Sequence, residues 1–140
     1  MAPAPFVLDA RLAADTLPLA ELPLCSLRLM DDARFPWLVL VPRRVGLAEL
    51  FDLPQTLRAQ LLLEMEQASA ALRSVHPSCK LNLGALGNVV RQLHVHVVAR
   101  QVGDAAWPGP AWGHGTRLPY APEVAAQVQT QLRAALSSVG

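Results

Sequence analysis

The residues best suited to chemistry lie in one short stretch, Gln92-Leu93-His94-Val95-His96-Val97-Val98. Successive side chains of an extended strand point to opposite faces, so Gln92, His94 and His96 are expected on one surface and Leu93, Val95 and Val97 on the other. Two imidazoles and a carboxamide then share a face. If the Leu and Val side packs beneath a helix, this polar face must meet solvent, a cleft or a bound ligand. Two His at alternate strand positions suit zinc. Such a site needs a third protein ligand, however; Cys79 is the only cysteine near in sequence, and nothing marks an acidic one. In the plainest case the pair meets only local hydrogen-bonding needs.

The elements around this stretch follow from periodicity and punctuation. Residues 8–14 suit a short helix opened by Asp9, after which Pro18 and Pro23 hold the chain extended. Residues 24–30 alternate, with Leu27 and Leu29 against Ser26 and Arg28. Asp31-Asp32 then signals a turn, and residues 37–41 form a continuous apolar run between Pro36 and Pro42. This pair reads as a β-hairpin whose second strand is buried on both faces. Asp52 is expected to cap a long helix with Pro54 just inside, and Leu57, Leu61, Met65, Ala68, Leu72 and Val75 give it one apolar stripe. His76-Pro77 ends it. Residues 80–86 and 89–100 return to strand character, joined through Gly84, Gly87 and Asn88. Residues 122–139 form a last helix with Val124, Val128, Leu132, Leu136 and Val139 on one face. Antiparallel hairpins with helices packed on one side make an α+β fold.

Composition narrows the function. The chain has 140 residues, and 12 Lys and Arg stand against 11 Asp and Glu for a formal charge of +1. That balance argues against a nucleic-acid arm or an electrostatic membrane patch, so neither partner is expected. With 52% apolar residues the chain can bury a core and need not be disordered. No apolar run approaches the roughly 20 residues of a spanning helix. The first residues lack the cationic start and apolar stretch of a secretory signal, and Cys25 and Cys79 read as reduced thiols, which points to the cytoplasm. Residues 103–122, with four prolines, four glycines, Trp107 and Trp112, are expected to form an ordered loop, since two Trp in a flexible linker leave large apolar area wet.

The stretch from Lys80 to Arg100, with Asn82, Gly84, Gly87 and Asn88 ahead of Gln92, His94 and His96, resembles the signature region of the histidine triad (HIT) superfamily of nucleotide hydrolases and transferases. It looks like a bacterial-type variant with Gln in place of the first triad His. Residues 31–44 are similar to the family's first hairpin, which ends in Leu40-Val41-Pro42-Arg43. The resemblance covers roughly residues 24–100. It implies a single domain over residues 1–140: an antiparallel sheet of about five strands, a long helix packed on it, and a C-terminal loop and helix over 103–140.

The resemblance also implies roles. His94 takes the place of the nucleophile, His96 contacts the phosphate, and Gln92 stands where the first triad His would be, without that residue's acid or base capacity. Asn82 matches the Asn that holds the ribose or phosphate side, and Asn88 falls near the phosphates. Val45 lies where relatives often carry a supporting His. Arg43 and Arg44 offer cations at the hairpin end, where either could meet a phosphate or simply be solvated. Trp107 and Trp112 could stack on a base or fill a dimer seam but are read as packed, His114 could fold over a neighbouring site or bind nothing, and His76 is read as structural. The implied reaction is a nucleotide hydrolase or nucleotidyl transferase working through a nucleotidyl-histidine on His94, with no cofactor or metal needed for the covalent step. A nucleotide-binding or regulatory module with weak or no catalysis is the alternative, and a homodimer is expected.

Overall fold

The start of the chain is organised by one carboxylate. Asp9 accepts hydrogen bonds from the Arg11 and Leu12 N–H groups and so caps the short helix α1 (Ala10–Asp15). The computed structural model describes residues 4–139; Met1 to Pro3, which carry part of the secretory-signal expectation, fall outside them. Strand β1 (Thr16–Glu21) follows directly. It lies at a sheet edge, where Pro18 leaves no ladder bond unmade, and its register against the next strand slips between Pro18 and Ala20.

The five strands form one antiparallel sheet in the order β1-β2-β3-β5-β4, with β2 at Cys25–Met30, β3 at Trp37–Pro42, β4 at Lys80–Gly84 and β5 at Val95–Arg100. The long helix α2 (Gln55–Val75) and the C-terminal helix α3 (Pro122–Val139) complete the expected α+β architecture. All six residues of β3 are buried, because both faces of the sheet are covered there. Leu38 and Leu40 join Leu27, Leu29, Val95 and Val97 in a core shared with Leu61, Ala68 and Leu72 of α2 and Leu132 of α3. Trp37, Val39 and Val41 face the other way and meet Val98, Leu12, Phe35, Ala106 and Ala111. The second face is thus roofed by α1 and the Pro/Gly-rich loop, which is ordered as expected.

Three details differ from the sequence reading. Asp52 does not cap α2: Pro54 lacks the N–H that such a cap would bind. Its carboxylate turns back to the Ala48 and Glu49 N–H groups, at 3.1 and 2.8 Å, and closes a 3-10 turn at Leu50–Asp52. The last strand is also shorter than the expected 89–100. Leu40 pairs with Val95 near the end of β3, so the preceding residues have no ladder partner, and the Leu93 N–H goes instead to Leu47 O at 3.0 Å. Finally, the stripe of α3 is shifted only in part: Val128, Leu132 and Leu136 pack on the core as expected, but Ala125 and Ala135 are buried beside them while Val124 is exposed, and the Val139 side chain lies outside the described residues.

One polar group sits inside the α2 stripe. Glu64 is fully buried, and its carboxylate accepts from the Leu24 N–H at 2.9 Å, the Cys25 N–H at 2.8 Å and the Gln60 amide at 2.7 Å. It caps the start of β2 from across the core. Burial and this neighbouring carboxylate push the Cys25 thiol well above its ordinary pKa, so Cys25 is an inert thiol. Glu64→Ala strands two backbone donors and is expected to lower the unfolding free energy by about 2–4 kcal/mol. Urea denaturation checks this, through a lower midpoint at unchanged slope.

Candidate functional site

The two histidines hold different tautomers, and each is set by a neighbour. The Nδ1 of His94 lies 2.7 Å from the backbone oxygen of Gln92. A carbonyl can only accept, so Nδ1 carries the proton and Nε2 keeps its lone pair. For His96 the arrangement is reversed. The indole Nε1–H of Trp37 donates to His96 Nδ1 at 3.0 Å, which leaves the proton on Nε2. The two rings meet edge to face with centroids 4.8 Å apart, so a ring nitrogen with a free pair stands beside one that donates.

Burial enforces this pairing. His96 is 5% exposed, and its pKa is pushed down to about 3, first by burial and then by the neighbouring His94. It is therefore neutral at physiological pH. Trp112 closes the other side, with its ring centroid 5.7 Å from that of His96 and 6.3 Å from that of Trp37. The indole lies flat enough on β4 that a Cβ at Gly84 would stand 3.3 Å from Trp112 Cη2. Gly84 is the residue opposite His96 in the ladder, so its missing side chain is what admits the indole beside the imidazole.

His94 and His96 line a cleft of about 450 Å³, within the size range of small-ligand sites. Its other walls are α1 with Arg11 and Asp15, Met30 at the end of β2, Trp37, the loop 86–90 with Asn88, and Trp112-Gly113. Gly87 has φ +71°, a left-handed conformation that lets this loop turn at the rim.

The structure brings together His94, His96 and Asn88 among the residues singled out in the sequence. Gln92 lies before β5 and does not line the cleft. Its amide faces the N-terminal segment, accepting from the Asp9 N–H at 2.8 Å and donating to Val7 O at 2.9 Å. Asn82 sits opposite Val98 on β4, and its oxygen accepts from Arg100 at 3.1 Å. Arg100 is itself buried and clamped by Asp104, with contacts of 2.7 and 2.8 Å that hold the Asp104 carboxyl down at about 2. Arg43 turns to Glu21, at 2.7 Å, and to the carbonyls of Leu22 and Pro23. His114 is exposed and off the cleft. Among the described residues, no three His, Cys, Asp or Glu side chains are grouped to hold a metal ion.

Sequence reasoning did not single out Trp37 as a site residue, and it read Trp112 as packing. Trp37 shares strand parity with Val39, but only the register of β3 against β5 reveals that Val39 faces His96.

A five-stranded antiparallel sheet that carries paired imidazoles into a cleft beneath a C-terminal loop defines a protein of the histidine triad class. The HIT domain family model matches residues 12–103, and the chain belongs to this family. It is similar to histidine triad proteins of known structure from three bacteria. That of Sinorhizobium meliloti is 45% identical over 92% of this chain and 96% of its own, with a TM-score of 0.90. That of Marinobacter aquaeolei is 42% identical over 98% and 100%, with a TM-score of 0.93. That of Bradyrhizobium japonicum is 41% identical over 95% and 99%, with a TM-score of 0.91. No curated protein matches the chain.

The neutral state of His96 has a consequence for stability. The unfolded chain protonates this residue below its ordinary value of 6.5, whereas the folded chain resists until about 3. Between those limits the unfolded state binds more protons, so acidification costs stability, by about 1.4 kcal/mol per pH unit for one proton. His96→Asn is expected to reduce the slope of unfolding free energy against pH by about that amount between roughly pH 6 and pH 4, as measured by urea titrations at each pH.

Proposed function

We propose that this protein is a nucleotide hydrolase or nucleotidyl transferase that acts on phosphoesters or phosphoanhydrides through a nucleotidyl-histidine intermediate on His94. The observation that carries the reading is the His94 Nδ1 contact to Gln92 O, which makes Nε2 the lone-pair nitrogen of the neutral ring, on a side chain that lines the cleft. A protein solved from Sulfolobus tokodaii that shares this fold is described as a histidine triad nucleotide-binding protein. The substrate class is carried over from the family.

In the proposed reaction Nε2 of His94 bonds to the α-phosphorus as the P–O bond to the leaving group breaks. The leaving group departs with the bonding pair and takes a proton from solvent. Water then attacks phosphorus, the P–N bond breaks, and the nucleoside monophosphate leaves with His94 restored. An acceptor alcohol or amine in place of water makes the second step a transfer. Phosphoryl transfer needs donors fixed before charge develops on the equatorial oxygens. The Nε2–H of His96, oriented by Trp37, is one; the Asn88 amide and the backbone of the 86–90 loop supply others.

His94→Ala is expected to lower turnover of a nucleotide phosphoester or phosphoanhydride by at least about a thousandfold, with the thermal midpoint little changed. Equal turnover in both proteins removes the nucleophile assignment. Tight binding of nucleoside monophosphate by a wild-type protein that turns nothing over supports the regulatory alternative instead.

The homodimer belongs to this proposal, as does a reducing, cytoplasmic setting for two free cysteines. Strand β4 is a sheet edge with open ladder groups, and beside it Leu62 and Leu83 are exposed along a groove between α2 and β4. Glu66 and Arg73 line the same groove one heptad apart on α2, so a two-fold axis between them sets each against the other in the partner. Leu83→Lys is expected to shift the protein from dimer to monomer in sedimentation at micromolar concentration. A monomeric wild type contradicts the assembly.

A further inference from the structure

The N-terminal segment forms a wall of the cleft, and the side chain of Gln92 is one of the groups that hold it there. That amide pairs with the Val7 carbonyl and the Asp9 N–H, an acceptor and a donor two residues apart on the same backbone. The helix it anchors, α1, has six residues and is too short to be stable by itself. Its attachments include the Gln92 clamp, Leu12 buried with Phe6 and Leu8 against the second-face core, and the Asp31 N–H donating to Asp15 O at 3.0 Å, while Asp9 caps the helix itself. From this helix Arg11 and Asp15 line the same cleft as the histidines.

Arg11 is the one Lys or Arg among the described lining residues of the cleft. Its guanidinium makes no hydrogen bond among the described residues; its nearest charge is Asp15, 3.8 Å away, and its side chain is 65% exposed. Asp15 is shared, since Arg117 also approaches it at 3.9 Å. By contrast, Arg34, Arg43 and Arg100 are each committed to a carboxylate at 2.7 to 2.8 Å. A cleft with His96 Nε2–H and Asn88 beside the nucleophile already has donors for one phosphate. The uncommitted cation on the N-terminal wall is left for a second anionic group. The family model begins at residue 12, so Val7, Asp9 and Arg11 all lie ahead of the part of the chain that it matches.

We propose that Arg11, positioned by the Gln92 clamp on the N-terminal segment, is a specificity-determining residue that binds the phosphate beyond the α-phosphate of the nucleotide. The inference rests on the nucleotide reading above and adds to it the class of ligand, a nucleoside carrying at least two phosphates. The guanidinium fork offers two parallel donors to phosphate oxygens, which suits it to this task. Gln92 acts through the backbone of α1. A titratable residue is not required at position 92 for that role; an acceptor and a donor in one plane are.

The test is calorimetry with AMP and GMP and with their uncleavable α,β-methylene diphosphates, on the wild type, Arg11→Ala and Gln92→Ala. The wild type is expected to bind a methylene diphosphate about tenfold more tightly than the matching monophosphate. Arg11→Ala abolishes that preference and changes monophosphate affinity less than about twofold. Gln92→Ala reproduces the loss even though its side chain does not line the cleft, and Gln92→Glu, which loses the donor to Val7 O, does not restore it. Arg11 is exposed, so its replacement leaves the fold intact, as a matching thermal midpoint verifies. If Arg11→Ala weakens both ligands equally or neither, the assignment is overturned while nucleotide binding stands. If the wild type binds none of the four, the nucleotide reading fails and this inference with it.

Discussion

A backbone carbonyl can accept a hydrogen bond but never donate one, and the 2.7 Å contact between Gln92 O and His94 Nδ1 turns that asymmetry into chemistry. The proton is assigned to one nitrogen, and the lone pair of the other is free. The same logic runs the opposite way at His96, where the indole of Trp37 can only donate. Two identical side chains two residues apart thereby acquire complementary characters. Burial keeps the His96 ring in its neutral form.

Holding these rings in place needs rigid surroundings, and the sheet supplies them. The register of β3 against β5 sets Val39 opposite His96 and Trp37 opposite Val98, so a slip of one residue would turn the imidazoles into the core and strand Leu93, Val95 and Val97 at the cleft. The face under α2 and α3 makes that slip costly, because it is lined almost wholly by apolar residues, chiefly leucine and valine. The face carrying the histidines is closed differently. There α1 and the long loop form a roof, the loop fastened by the Arg100–Asp104 pair and by Trp112 lying on Gly84. A charged pair of this kind gains from close geometry, with two short contacts offsetting the loss of water around a buried guanidinium.

The fold was legible in the sequence where a single local pattern decides it. Asp9 as a cap, the two-sided burial of residues 37–41, the apolar stripe of α2 and its end at His76 all depend on neighbours within a few residues. Local signals misled at Asp52, where Pro54 removes the donor a cap requires, and at residues 89–94, which have strand composition but no strand beside them. The site divides along the same line. His94 and His96 announced themselves by type and spacing, and Asn88 entered through the family resemblance. Gln92, which stands in place of the first triad His, and Asn82 were expected on the same ground, yet each spends its amide elsewhere, Gln92 on residues 83 and 85 positions away and Asn82 on Arg100.

By itself the sequence determined which residues alternate, which segments are helical, and that two imidazoles and a carboxamide share a short stretch, because periodicity and turn chemistry are properties of adjacent residues. The tertiary structure alone decided which nitrogen of each ring carries a proton, that Trp37 and Trp112 flank His96, and that Gln92 turns from the cleft to hold the N-terminal segment. Those outcomes depend on register and on packing between elements far apart in the chain. Hydrogen-bond partners at such separations are chosen by the whole fold, since only the assembled sheet brings an indole donor to one imidazole and leaves a carbonyl for the other.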